Sequence, residues 1–119
     1  MITRVDHLEI CVGDIDAVAA LFKKLGFVEI RRTKHHGEAV ELSLPGEDQV
    51  VFEFHTGKDE EVVGVNHIAF KVDNLEEAVA EFEARGVKFS TPIATSKASG
   101  RSTCNFRDAA HLRYQLTSY

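Results

Sequence analysis

Apolar and polar residues alternate from Arg4 to Val12, then apolar ones recur at helical spacing through Ile15, Val18, Ala19, Phe22 and Leu25. Alternation is the period of a half-buried strand, and the three-to-four spacing is that of an amphipathic helix. The chain therefore opens with a strand over 4–12 and a helix over Ile15–Leu25. Asp14 is placed to cap that helix and Gly26 to stop it. Phe27–Thr33 reads as a second strand, Ala39–Leu44 as a third and Gln49–His55 as a fourth. Turns at His35-His36-Gly37 and Pro45-Gly46-Glu47-Asp48 separate them. After a charged connector over Thr56–Gly64 the order repeats. Val65–Val72 is a strand and Leu75–Arg85 a helix closed by Gly86. Val87–Ser90 is a short strand, Pro92–Gly100 a small-residue loop, and Arg101–Phe106 and Leu112–Ser118 the last two strands.

The second half copies the first at an offset of 60 residues. Val5/Val65, His7/His67, Val12/Val72, Ala20/Ala80, Phe22/Phe82 and Gly26/Gly86 are identical, and Ile15 matches Leu75 without a gap. Matched apolar positions follow from shared packing. The matched histidine does not, because a strand folds without it. Each half is βαβββ, so the fold class is α+β, with tandem modules at 1–57 and 65–119, a linker at 58–64, and one domain over 1–119.

Bulk properties narrow the partners. A net charge of −5 argues against nucleic acid or an anionic membrane. No apolar run approaches a membrane span, and no signal segment opens the chain. Only Cys11 and Cys104 carry thiols. That favours reduced cysteines and a cytoplasmic location over a disulfide scaffold.

Strand alternation divides the candidate chemistry from the core. Leu8, Ile10, Val12, Phe52 and Phe54 are assigned to the first helix. Ile68, Phe70, Val72, Leu112, Tyr114 and Leu116 are assigned to the second. The opposite face then carries His7, Glu9, Cys11, Val51, Glu53, His55, His67, Ala69, Lys71, Arg113, Gln115 and Thr117. A face this rich in ionisable groups is a wet surface or the wall of a polar cavity. Each half offers one imidazole on its first strand and one oxygen donor on its last: His7 with Glu53, and His67 with Gln115. Two imidazoles, a carboxylate and an amide oxygen suit a borderline divalent ion: Zn, Ni, Co, Mn or Fe. The plain alternative is a pair of sheet histidines with ordinary hydrogen bonds. His55, near its strand's end, is expected at a rim. Cys11 is expected as a packing residue, His111 as a turn residue and His35 and His36 as solvated. Ser96–Arg101 reads as a flexible loop with cations.

Val5-Asp6-His7-Leu8, Val65-Asn66-His67-Ile68-Ala69-Phe70-Lys71-Val72-Asp73 and Asn105-Phe106-Arg107-Asp108, in that order, resemble the vicinal oxygen chelate superfamily. Its members include glyoxalase I, methylmalonyl-CoA epimerase, extradiol dioxygenases, fosfomycin-resistance transferases and metal-free bleomycin-resistance proteins. The resemblance covers essentially the whole chain. It implies a U-shaped mixed sheet with the helices on its outer face, and metal ligands at His7, Glu53, His67 and Gln115. Gln115 departs from the pattern, where a glutamate usually stands. So does the Arg107–His111 turn, which lacks the usual proline and glycine. Because Gln115 cannot usefully accept a proton, Glu53 is the expected base, with Glu9 and Glu41 as alternates on the same face. Glu9, Glu41, His55, Lys71, Arg101 and Arg113 are the candidate substrate contacts.

Three functions follow from these residues. The first is a metal-dependent lyase or isomerase of glyoxalase type, acting on a small carbonyl compound or a thiol adduct. The second is an Fe(II) extradiol-type dioxygenase, weakened by the missing last-strand carboxylate. The third is a thiol transferase or a metal-free binding protein of the drug-resistance kind, which has no need of histidine at both repeat positions. A homodimer is expected, with modules pairing within one chain or exchanging between two.

Overall fold

Asp14 starts the first helix by accepting hydrogen bonds from the backbone N–H groups of Asp16 and Ala17 at 3.0 and 3.1 Å. The helix, α1, runs Ile15–Lys24, and Gly26 follows its end at φ 97°, a conformation glycine adopts without a Cβ penalty. The second helix, α2, spans Leu75–Ala84, with Asn74 as its cap and Gly86 at φ 95°. These helices and eight strands form an α+β fold in a computed structural model that describes residues 1–34, 37–57, 62–97 and 99–119. His35 and His36, and the Lys58–Glu61 part of the expected connector, lie outside the described residues.

The strands are β1 (Ile2–Cys11), β2 (Val28–Thr33), β3 (Ala39–Ser43), β4 (Val51–His55), β5 (Gly64–Val72), β6 (Ala94–Thr95), β7 (Ser102–Arg107) and β8 (Arg113–Ser118). The chain divides into two units. One is His7–Asn66, and the other joins Met1–Asp6 to His67–Tyr119. In the first unit the strand order is β2-β3-β4-β1, with β4 and β1 parallel and the rest antiparallel. In the second it is β6-β7-β8-β5, with β8 and β5 parallel and the rest antiparallel. The two units follow one plan.

Their cores repeat as well. Ile15, Ala19, Val40, Leu42 and Phe54 are buried together in the first unit, with Ile10, Val12, Val18 and Phe22 packed against them. Val72, Leu75, Ala78, Val79, Cys104 and Leu116 form the second core, with Phe70 and Phe82 packed on it. Ile10, Val12, Ile15, Val18, Ala19 and Phe22 thus correspond to Phe70, Val72, Leu75, Ala78, Val79 and Phe82. The helix-facing alternates of β1 and β5 fall where strand period requires.

One strand departs from expectation. Val87–Ser90 makes only an isolated bridge, Phe89 to Phe106, and β6 forms at Ala94–Thr95 instead, inside the expected loop. Pro92 explains the shift. It has no N–H to give to a ladder and disfavours regular pairing around itself. The segment therefore touches β7 before the proline and pairs with it again after.

The β7–β8 turn is built without glycine. Asp108 Oδ1 accepts from the N–H groups of Ala110 and Leu112, and its Oδ2 accepts from the Tyr114 hydroxyl at 2.9 Å. Arg107 Nη1 donates to the His111 carbonyl at 2.8 Å, holding His111 at φ 68°. His111 is therefore the turn residue it was expected to be. The Tyr114 hydroxyl, with the two backbone donors, holds the Asp108 carboxyl below its ordinary pKa. A carboxyl whose folded pKa is lowered contributes stability that is complete above its unfolded value, about 4, and is lost as pH falls through the folded value. Asp108→Asn should flatten the acid limb of the stability curve, measured by urea unfolding from about pH 6 to about pH 2. An unchanged acid limb would contradict the assignment.

Candidate functional site

Direct pairing places a line of charge across the first unit. Arg31 on β2 pairs with Glu41 on β3, Glu41 with Glu53 on β4, and Glu53 with Glu9 on β1. Directly paired residues share a face, so the row reads guanidinium, carboxylate, carboxylate, carboxylate. All three carboxylates are buried: Glu9 is 4%, Glu41 7% and Glu53 9% exposed. Arg31 Nε bonds Glu41 Oε2 at 2.5 Å. That bond raises the Arg31 pKa above its ordinary value, and the charge on Glu53 adds to the effect.

His7 lies two residues before Glu9 on the same face and is buried. It pairs with Val51, one step diagonal from Glu53. The next step along the row pairs Cys11 and Ala39 with His55. His55 is not at a rim, as its place near the end of β4 suggested. It is only 1% exposed, with Nε2 3.9 Å from Glu9 Oε1. Both β1 and β3 pair with β4 as far as its last residue, so the strand's end is interior. Cys11 is also buried, its thiol 3.8 Å from the Thr56 carbonyl, consistent with a packing role.

The second unit repeats the register with different side chains. His67 pairs with Arg113, and Ala69 with Gln115, as His7 pairs with Val51 and Glu9 with Glu53. Gln115 in turn pairs with Asn105, as Glu53 does with Glu41. Gln115 Nε2 donates to Asn105 Oδ1 at 3.1 Å. His67 is 5% exposed, and its Nδ1 lies 3.1 Å from Arg113 Nη2.

Lys71 and Arg101 go elsewhere. Lys71 Nζ stands 4.4 Å, and the Arg101 guanidinium 5.5 Å, from the centre of the Tyr119 ring. The Tyr119 hydroxyl donates to buried Asp6 at 2.9 Å and accepts from Arg4 at 2.7 Å. Arg101 reaches the other Asp6 oxygen at 3.8 Å. The expected loop before β7 is tied by Ser96 N–H to the Arg101 carbonyl. Arg31, Arg4, Asp6 and Tyr119 escaped sequence reading. Arg31 is revealed only by the β2–β3 register, and Asp6 and Tyr119 are 113 residues apart.

Among the described residues, no three His, Cys, Asp or Glu side chains are gathered as a metal-holding group. The chemistry of the donors nonetheless fits a borderline ion: imidazole and carboxylate on a diagonal in one unit, imidazole and amide oxygen on the same diagonal in the other.

A family model, the Glyoxalase/Bleomycin resistance protein/Dioxygenase superfamily, matches residues 4–116. The chain belongs to this superfamily. An uncharacterized protein of Bacillus subtilis, YwkD, is 28% identical over 98% of this chain and 97% of its own. Among superfamily structures, a Streptomyces coelicolor methylmalonyl-CoA epimerase holding 2-nitronate-propionyl-CoA superposes with a TM-score of 0.78 at 18% identity, covering 98% of this chain and 97% of that one. The Mycobacterium tuberculosis methylmalonyl-CoA epimerase superposes with a TM-score of 0.77 at 19% identity, over 98% and 87% of the two chains. At such identities the likeness establishes the superfamily fold. No helix among the described residues is long and apolar enough to cross a membrane.

Proposed function

We propose that this protein is a metal-assisted lyase or isomerase that moves a proton on carbon beside a carbonyl. Its substrate is a small carbonyl compound or thiol adduct, acyl thioesters included. The observation that carries this reading is the buried row Glu41–Glu53–Glu9. Carboxylates crowded at low exposure favour uptake of a cation or of a proton, and carbonyl-assisted proton transfer uses both. The epimerase likeness puts a thioester first among substrates to try.

His7, Glu53, His67 and Gln115 are the residues that would hold the ion. When bound, the ion supplies Lewis-acid polarisation of the substrate carbonyl. The chain's residues do the rest. Glu53, flanked by Glu9 and Glu41, is the proton acceptor, and the neighbours stand on either side as alternates. Arg31 keeps Glu41 in place. Burial limits competing water. Lys71 and Arg101, whose cations stand on Tyr119 and Asp6, would serve an anionic substrate group only by leaving those contacts. A homodimer in the cytoplasm is the assembly and setting we infer.

A metal-free binding role is the second reading, favoured by Arg113 standing on His67. One experiment separates them. The purified protein is analysed for metal, then incubated in deuterium oxide with acyl-CoA thioesters and hemithioacetals in the presence of Zn, Ni, Co, Mn or Fe(II). The proposal expects one ion per chain and deuterium uptake beside the carbonyl that stops on chelation. Tight ligand binding with neither metal nor exchange would replace it with the binding reading. Oxygen consumption with iron would replace it with the dioxygenase reading.

A further inference from the structure

We propose that Arg113 and the metal ion are rival occupants of His67, so that the guanidinium must leave the imidazole before the ion can bind. The inference rests on the metal-assisted reading above.

The contact itself sets the proton. Arg113 Nη2 lies 3.1 Å from His67 Nδ1. A guanidinium has donors and no acceptor, so Nδ1 is the acceptor, and the neutral ring carries its single proton on Nε2. A metal ion needs the lone pair of one ring nitrogen. If it takes Nδ1, it takes the place of Arg113. If it takes Nε2, the proton moves to Nδ1, where it would face a second donor. Turning the ring over replaces Nδ1 with a C–H beside the guanidinium. In every case the Arg113 contact is lost when the ion binds.

The strand pairing places the guanidinium directly opposite the imidazole. His67 and Arg113 are direct partners on β5 and β8, whereas the matching partner of His7 is Val51, which has no group to offer a ring nitrogen. Arg113 is half-buried, while His67 is nearly enclosed. The Nδ1 lone pair of His67 is therefore already engaged.

Zinc and cobalt affinities of the metal-free wild type, Arg113→Met, His67→Ala and the double variant, read by competition with a chromophoric chelator, test the idea. Arg113→Met is expected to bind about tenfold tighter or more, since a hydrogen bond from a charged donor no longer has to be broken. That gain should vanish in the His67→Ala background. If His67→Ala loses affinity while Arg113→Met equals the wild type or binds more weakly, the rivalry is wrong and His67 remains a ligand. If His67→Ala binds as the wild type does, the ligand assignment falls and the rivalry with it. Side-chain ¹⁵N shifts of His67 in metal-free wild type give a check independent of any variant. They should report the Nε2–H tautomer, and an Nδ1–H ring would overturn the proposal.

Discussion

Glu53→Ala should lose its metal ion and its activity together, with kcat/KM falling by roughly two to four orders of magnitude. Glu53 is the one carboxylate paired with two others, Glu41 on one side and Glu9 on the other. It is also the one diagonal to His7. The ligand role and the proton-acceptor role proposed above both fall on its position, so its loss removes the ion even where a neighbour takes up the proton. Glu9 and Glu41 each sit one strand away, and Glu41 is already bonded to Arg31. Metal content by plasma mass spectrometry and steady-state kinetics on the same preparation check the prediction. A Glu53→Ala protein that is fully metallated and active would remove Glu53 from both roles.

Phe54→Ala should cost about 3–5 kcal/mol of stability, a large share of the roughly 5–15 kcal/mol that holds a domain together. The ring is 3% exposed and meets Phe22 edge-on at 4.9 Å, within a cluster that includes Phe27 and Phe52. Phe54 stands between Glu53 and His55 on β4. The residue that anchors the strand to α1 thus alternates with the residues that line the opposite face. Truncation loses the buried area and leaves a cavity that the neighbouring aromatic rings cannot fill without leaving their rotamers. Urea unfolding measures it. A loss below about 1 kcal/mol would mean that this core relaxes far more freely than its packing implies.

Much of this was legible in the sequence because duplication and period are local signals. His7 and His67, the caps at Asp14, Gly26 and Gly86, and the alternation of β1, β4, β5 and β8 needed only spacing. Placement of Glu9, Glu41 and Glu53 on one face followed from the same period, and the structure aligns them in one row. What stayed hidden depends on neighbours distant in the chain. His55 looked terminal until two strands paired with its end. The pairing with β7 is broken around Pro92, so the regular ladder forms at Ala94–Thr95 rather than at Val87–Ser90. Arg31, and the Arg4–Tyr119–Asp6 contacts, are products of register and of chain ends brought together. Spacing placed His67 and Arg113 on a common face. The hydrogen bond between them, with its consequence for the ring proton, required coordinates.

The most direct measurement is a count of nitrogen ligands. X-ray absorption fine structure on the cobalt-loaded protein should show two imidazole rings per ion, together with oxygen scatterers. A first shell with one imidazole or none would contradict the proposed ligation by both His7 and His67.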